Sequence, residues 1–423
     1  MRKMKDSGIE WIGKVPQEWD IVRFKSKYRN IKEIAGEQSS KYERLALTLN
    51  GVIKRPKDDS EGLQPKEFDT YQILRENDFI FKMIDLQNIS TSRVGLSPYT
   101  GLVSPAYIRF TSRKANQDNR FVYYYLMSMY YNCVFNSLGG DGVRSALNAK
   151  DMGQLDIPYP SEDEQICIAN FLDNKCRQVD TLISNVQAQI EKLKAYKQSL
   201  ITEVVTKGLD PTVPMKDSGV EWMGIIPAHW GVKCGKHLFA ESDLRSADGS
   251  EELLTVSQYT GITPRSQKNV NMFEALSLEG YKICKVGDIA ANTMWMWAGA
   301  IGVSQYYGVV SPSYNVYHQI GNAYLSKYLD YLLRIPPLVQ CYESQSTGIR
   351  ASRLRLYPQQ FLNIRFPVPP YAEQEAVVAE LEGRCEKVDR LIAIKQRKID
   401  KLNEYKKSLI YECVTGKKEV PVG

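Results

Sequence analysis

Histidine is nearly absent from this chain of 423 residues, which has only His229, His237 and His318. None stands at ligand spacing from a cysteine or carboxylate, so a transition-metal centre is not expected. Eight cysteines are scattered without a single C-x-x-C pair. That argues against a redox motif and a disulfide framework, and suits a reducing cytoplasm. No run approaches the roughly 18 uninterrupted apolar residues that a membrane helix needs. The N-terminal MRKMKDSGIEW has positive charge but no apolar core, so a secretory signal is not expected.

Catalytic motifs are missing too. Gly8 to Val15 (GIEWIGKV) outlines a phosphate-binding loop, but Val15 replaces the hydroxyl that would hold Mg²⁺. Gly140-Asp141-Gly142 begins like a dinucleotide loop, yet Ser145 stands where the third glycine belongs. Val368-Pro369-Pro370-Tyr371 has the outline of the [NDS]-P-P-[YFW] loop of amino-methyltransferases. Val368, however, cannot accept a hydrogen bond from a base amino group. With no nucleophile elbow and no paired carboxylates, the chain reads as a binding protein.

What is present is repetition. Residues 164–206 and 373–415 match without gaps at 20 of 43 positions, and neither run contains proline. The first carries an apolar stripe at alternating steps of four and three: Leu172, Cys176, Val179, Ile183, Val186, Ile190, Leu193. The second carries Leu381, Cys385, Val388, Ile392, Ile399, Leu402, Leu409 and Cys413, with Lys395 and Lys406 interrupting it. A seam repeating every 3.5 residues predicts a long helix that needs a helical partner. Each run is the natural partner of the other.

A shorter segment also recurs. MKDSGIEWIGKVPQEW (residues 4–19) and MKDSGVEWMGIIPAHW (residues 215–230) are identical at ten of sixteen positions. In the second copy Ile225 stands where the phosphate loop would need lysine. Tryptophans flanking a proline turn, Trp11, Trp19, Trp222 and Trp230, read as a structural clasp. The chain is therefore a tandem of clasp, variable region and long helix. The variable regions correspond loosely, as Leu102–Tyr107 does with Val309–Tyr314, and each closes with Pro-x-Pro before Glu-Gln. Strands are expected at Tyr107–Phe110 and Ser313–Tyr317, and helices at Arg120–Tyr131 and Ala323–Leu333. Trp295 and Trp297, in MWMW, read as core.

The formal charge is +6, and the excess sits between the helices: 20 Lys/Arg against 16 Asp/Glu over residues 20–158, and 13 against 10 over 231–369. Basic residues in glycine-anchored loops suit phosphate contacts and guanine reading. The candidates are Lys54, Arg55, Lys57, Arg113, Lys114, Arg144, Asn148 and Lys150 in the first region. In the second they are Arg265, Lys268, Arg350, Arg353 and Arg355. A solvated surface charge is the bland alternative for each.

The paired clasps, the Pro-x-Pro…Glu-Gln entries and the two divergent regions resemble the specificity subunit of Type I restriction–modification systems. The resemblance spans essentially the whole chain. It implies an α+β fold with two target-recognition domains of mixed α/β structure. Two long helices forming an antiparallel coiled coil would join them, giving a pseudo-two-fold tandem repeat. The implied boundaries are 1–160 for the first clasp and recognition domain, and 161–208 for the first long helix. Residues 209–369 would be the second clasp and recognition domain, and 370–423 the second helix and tail. Each recognition domain would read one half of an asymmetric, bipartite double-stranded DNA target, with the coiled coil as spacer. The chain itself would be non-catalytic and hold no cofactor. Two methyltransferase (modification) subunits would bring S-adenosylmethionine, and two restriction (motor–nuclease) subunits would bring ATP and Mg²⁺. A coiled-coil adaptor that binds no DNA is the alternative, disfavoured by basic loops that differ on a repeated scaffold.

Overall fold

The structure, a computed structural model, describes residues 2–58, 67–86, 93–138, 146–268, 277–348 and 354–420. The chain divides into two compact units of mixed helix and strand. One comprises Met1–Val186 with Arg397–Gly423, and the other Gln187–Gln396. Each long helix, Glu162–Lys207 and Tyr371–Val414, therefore contributes to both.

In the first unit the strands Gly51–Arg55, Arg44–Thr48, Gly101–Val103 and Gln72–Leu74 form one sheet in that order. A second sheet runs Tyr28–Asn30, Ile108–Ser112, Phe79–Phe81, Val94–Leu96. Aromatic packing builds the core. Phe24 stacks on Tyr28 at 4.6 Å between centroids and meets Phe110 edge-on at 5.0 Å. Edge-to-face pairs of this kind add about 0.5–1.5 kcal/mol each beyond the area they bury. The helix Arg120–Tyr131 covers this core with Phe121, Val122, Tyr125 and Leu126. Charged groups lie inside as well, Asp78, Arg93 and Arg109 among them. Arg109, 2% exposed, donates to Asp78 at 2.6 Å, Glu33 at 3.0 Å and the carbonyl of Ile73 at 2.6 Å. Burial is tolerable because its donors are met.

The second unit has its four-stranded sheet in the order Phe239–Ser242, Asn315–Gln319, Ile289–Ala291, Ile301–Val303. Its counterpart of Asp78 is Asp288, at the same turn, accepting from the amide of Lys285 at 2.8 Å. The position matching Arg109 is Val316 here, so no guanidinium compensates, and burial raises the Asp288 carboxyl above its usual range. The expected helix at Ala323 starts later, at Ser326–Leu333. Gln374 causes the delay: its side chain accepts from the amide of Leu325 at 2.8 Å and donates to the carbonyl of Ala323 at 2.9 Å. Those bonds hold residues 323–325 outside the helical ladder.

The clasps fold alike. Met4–Asp6 pairs with Lys14–Pro16, and Met215–Asp217 with Ile225–Pro227. The buried Trp19 indole donates to Glu164 at 3.0 Å, and the buried Trp230 indole to Glu373 at 2.9 Å. The next residue is equally fixed. Gln165 donates to the carbonyl of Pro160 at 2.9 Å, and Gln374 to that of Pro369 at 3.0 Å. The Glu-Gln pair is thus the lock between clasp, Pro-x-Pro strand and helix start. In the first unit the clasp also holds the end of the second helix, where Pro16 and Trp19 lie against Gly416.

Within each unit the long helices run antiparallel. In the first, Leu172 and Cys176 share a core with Leu409, Ile410 and Cys413, and Lys406 donates to both Asp180 oxygens at 2.7 and 2.8 Å. In the second, Leu200 and Val204 share a core with Val377, Val378 and Leu381, and Lys197 donates to Asp389 at 2.7 and 2.8 Å. Leu172, Cys176, Val179, Val186, Ile190, Leu381, Cys385, Val388, Ile399 and Leu409 are buried, and Ile183, Leu193, Ile392 and Leu402 half-buried. Burial lifts the Cys176 thiol to about 11, as befits a small hydrophobe. The two lysines that interrupt the stripe have partners across it. Lys406 meets Asp180, and Lys395 donates to Gln189 at 2.6 Å. In the repeat, Lys197 corresponds to Lys406 and Asp389 to Asp180, so one ion pair is made twice.

Candidate nucleic-acid interface

Each unit presents a β-hairpin with basic residues on it or directly after it. In the first, Arg44–Thr48 pairs with Gly51–Arg55 around a tip of Leu49 and Asn50. Asn-Gly is the strongest short hairpin signal, because the turn needs positive φ. Gly51 sits at φ +90°, and Leu49 is 63% exposed. Lys54 points outward, pairs with Glu43 at 2.5 Å and lies 5.1 Å from the Tyr99 ring centroid. The Glu43 carboxylate raises its pKa, which keeps it a cation. Arg55 lies opposite Arg44 in the ladder. Lys57 donates to the carbonyl of Ser39 at 2.8 Å, with its ammonium 5.6 Å from the Phe68 ring.

The second hairpin pairs Leu254–Ser257 with Gly261–Pro264. Gly261, at φ +64°, allows the turn that leaves Tyr259 81% exposed. Arg334 holds the tip by donating to the carbonyl of Tyr259 at 2.7 Å, and Lys268 donates to the Thr260 hydroxyl at 2.9 Å. Burial lowers the Lys268 pKa. Arg265 follows the second strand; its amide bonds the carbonyl of Leu253 at 2.8 Å and its guanidinium lies near the Tyr314 phenol. Guanidinium and ammonium groups around an exposed ring match the phosphates and base faces of nucleic acid.

Three comparisons with known proteins bear on this chain. Residues 20–192 match the family model of the Type I restriction modification DNA specificity domain. The MjaVIII specificity subunit of a type I restriction enzyme from Methanocaldococcus jannaschii is 23% identical over 425 residues, covering 96% of this chain and 94% of its own length. A second protein of that organism, provisionally assigned as the MjaX specificity subunit, is 22% identical over 450 residues, covering 96% of this chain and 95% of its own. The chain is thus similar to type I restriction–modification specificity subunits along nearly its whole length. A solved chain from work on complex assembly and conformational transition of the type I R-M system shares the fold of this chain. The two superpose with a TM-score of 0.66 at 13% identity, over 96% of this chain and 99% of that one.

Not every basic residue singled out from the sequence lies on a hairpin. Arg113 donates to the carbonyl of Lys25 at 3.0 Å, and Lys114 pairs with Glu162 at the first helix start. Both are tied to the scaffold. Asn148 is an N-cap: its side-chain oxygen accepts from the amides of Lys150 and Asp151, and Asp151 returns a bond to its amide. Lys150 is exposed on that short helix, and Arg355 is exposed on a bridge to Thr347. Arg144, Arg350 and Arg353 lie outside the described residues. The reading of Trp295 as core is overturned, since its side chain is 53% exposed. Arg44, Tyr99, Tyr259 and Arg334 went unmarked in the sequence. The Asn50-Gly51 turn could have drawn attention to Arg44, whereas Arg334 reaches its hairpin from a helix distant in the chain.

Proposed function

We propose that this chain is a specificity subunit that reads an asymmetric, two-part DNA sequence, one part by each unit. The observation that carries the proposal is one scaffold built twice with two different sets of hairpin residues. The clasp bonds Trp19–Glu164 and Trp230–Glu373 repeat, while Lys54, Arg55 and Lys57 on one hairpin give way to Arg265, Lys268 and Tyr259 on the other. Identical readers would call for a palindrome; different ones do not. A pure adaptor would have no use for hairpin surroundings, basic in both units, that differ while their frame stays the same.

The long helices act as an antiparallel coiled-coil spacer, supported by the cross-helix pairs found within each unit. They also take up the methylation subunits. Leu182 and Tyr405 in the first unit are exposed, as are their repeat equivalents Leu391 and Tyr196 in the second. The Lys406–Asp180 register sets 182 and 405 at nearly one level, and Lys197–Asp389 does the same for 196 and 391. Two matched apolar patches suit two copies of one partner. The chain contributes no chemistry and no cofactor; S-adenosylmethionine, ATP and Mg²⁺ belong to the partners, in the cytoplasm. Among the described residues no helix is long and apolar enough to cross a membrane.

Exchange of residues 231–369 for those of a relative tests this reading. The methylated sequence should change in one part and keep the other. A methylome with both parts altered, or an unaltered one, would overturn it.

A further inference from the structure

The loop after Ile289–Ala291 holds aromatic surface out to solvent with unusual care. Met296, fully buried, anchors it in the core of the second unit. The amide of Trp295 bonds the carbonyl of Asn292 at 2.9 Å, and Gly299, at φ +87°, turns the chain back so that Ala300 bonds the carbonyl of Trp295 at 3.1 Å. The Trp297 indole donates to the carbonyl of Met294 at 2.9 Å, and its ring stacks on Trp295 at 5.8 Å and 24°. Trp295 and Met294 are left exposed at the crest. A ring fixed this way loses little conformational freedom when something covers it.

The surroundings name the occupant. Thr293 donates to the carbonyl of Ser313 at 2.6 Å, and Asn292 donates to the Tyr314 hydroxyl at 3.0 Å. Tyr314 in turn lies beside Arg265. A cation that can meet phosphate thus neighbours an apolar crest that can meet bases. We propose that Trp295, backed by Trp297, is a wedge that enters the DNA at one base step of the part read by the second unit and unstacks it. The proposal rests on the DNA reading above and goes beyond it, to a local distortion of the duplex. The first unit has no counterpart, since residues 82–93, its corresponding loop, contain no aromatic residue. The distortion is therefore confined to one half of the target.

The test uses the full chain with its methylation subunits and the duplex selected by it from a random library. 2-Aminopurine is placed at successive steps, and the bend is followed by energy transfer between end labels. Wild type should brighten the probe at one step in the second unit's half and bend the duplex. Trp295→Ala should lose both and bind roughly 5- to 150-fold more weakly, the range for one lost base–aromatic stack. Trp295→Phe should keep most of the signal. A melting temperature unchanged in Trp295→Ala shows the fold intact. Unchanged affinity, bend and fluorescence in that variant would overturn the wedge alone. Weakened capture of the methylation subunits with DNA binding intact would overturn it in favour of a protein-binding crest. Failure of wild type to bind any duplex would overturn the DNA reading and the wedge with it.

Discussion

Reversing one charge in the seam asks how much the duplicated ion pair matters. Lys406 is mostly covered, with a side-chain exposure of 22%, while Asp180 keeps 55%. Such a pair lies between a surface salt bridge, worth about 0.2–1 kcal/mol, and a buried one. About 1 kcal/mol is a fair value for the attraction. Asp180→Lys removes it and adds a repulsion of similar size, so the variant should lose about 2 kcal/mol. For a unit of about 200 residues that lowers the melting temperature by roughly 4–8 °C. Lys406→Asp alone should cost about as much, since it sets two carboxylates face to face. Combining the two restores attraction, and the double variant should return to within about 0.5 kcal/mol of wild type. Calorimetry at low salt and again at 1 M NaCl is the assay; the single-variant losses should shrink as screening sets in. If the double variant is instead as unstable as the sum of the singles, Lys406 is not paired across the helices. The register argued from that bond then falls.

Further outcomes follow from the buried polar groups and the helices. Gln374→Ala strands the Leu325 amide and the carbonyls of Ala323 and Pro369, and should cost about 3 kcal/mol in urea unfolding; Gln165→Ala strands the Pro160 carbonyl and should cost about 1–2 kcal/mol. Burial raises the Asp288 carboxyl, opposed by the Lys285 amide and by His318, so its folded pKa lies above its unfolded value near 3.9. Its contribution is then complete below the unfolded value and lost as pH rises through the folded one. Asp288→Asn should accordingly melt higher than wild type at pH 7, with the gap closing toward pH 4. Seven residues continuing the heptad, inserted after Val186 and again after Lys395, should keep the seam and add about 10 Å to each helix. Selection from a library of variable spacers should then prefer a spacer about three base pairs longer at about 3.4 Å per pair. Unchanged preference would rule out the helices as spacer.

Much of the frame was open to reading because its signals are local and repeated. A 3.5-residue period declares a helix seam wherever it occurs, and finding it twice names the partner. The helix at Arg120–Tyr131 was legible for the same reason, since twelve residues without Gly or Pro carry a continuous apolar face. What escaped depends on groups brought together from far apart. The seam lysines looked like defects because Asp180 and Gln189 are more than 200 residues away in the chain. Arg109 shows the same effect in the core, where nothing near it in sequence foretells Asp78, Glu33 and the Ile73 carbonyl converging on one guanidinium. Trp295 was misread on residue type alone; its loop turns the neighbouring Met296 inward instead. Among the basic candidates, sequence could find the hairpin lysines but could not separate them from Lys114, whose carboxylate partner lies on another element.

Comparing the two units separates what holds the molecule together from what it reads. Three of the bonds made twice are chemically specific: indole to Glu, Gln to a proline carbonyl, and lysine to aspartate across the seam. None of these three involves a hairpin tip. The tips need only two strands and a glycine at positive φ, a demand met by Asn50-Gly51 in one unit and Thr260-Gly261 in the other. Side chains beside those glycines can therefore change with little effect on the frame, because each hairpin is seated by its own inward residues, Leu45 and Val52 against Leu74, Ile80 and Val103 in one unit and Leu254, Val256 and Ile262 against Cys284 and Val310 in the other. Arg109 marks the limit of that freedom. Its replacement by Val316 in the second unit leaves Asp288 without a guanidinium partner, and burial raises its carboxyl. Readout can vary at the tips, whereas a charge placed inside draws its hydrogen-bond partners from its own unit, as Arg109 does.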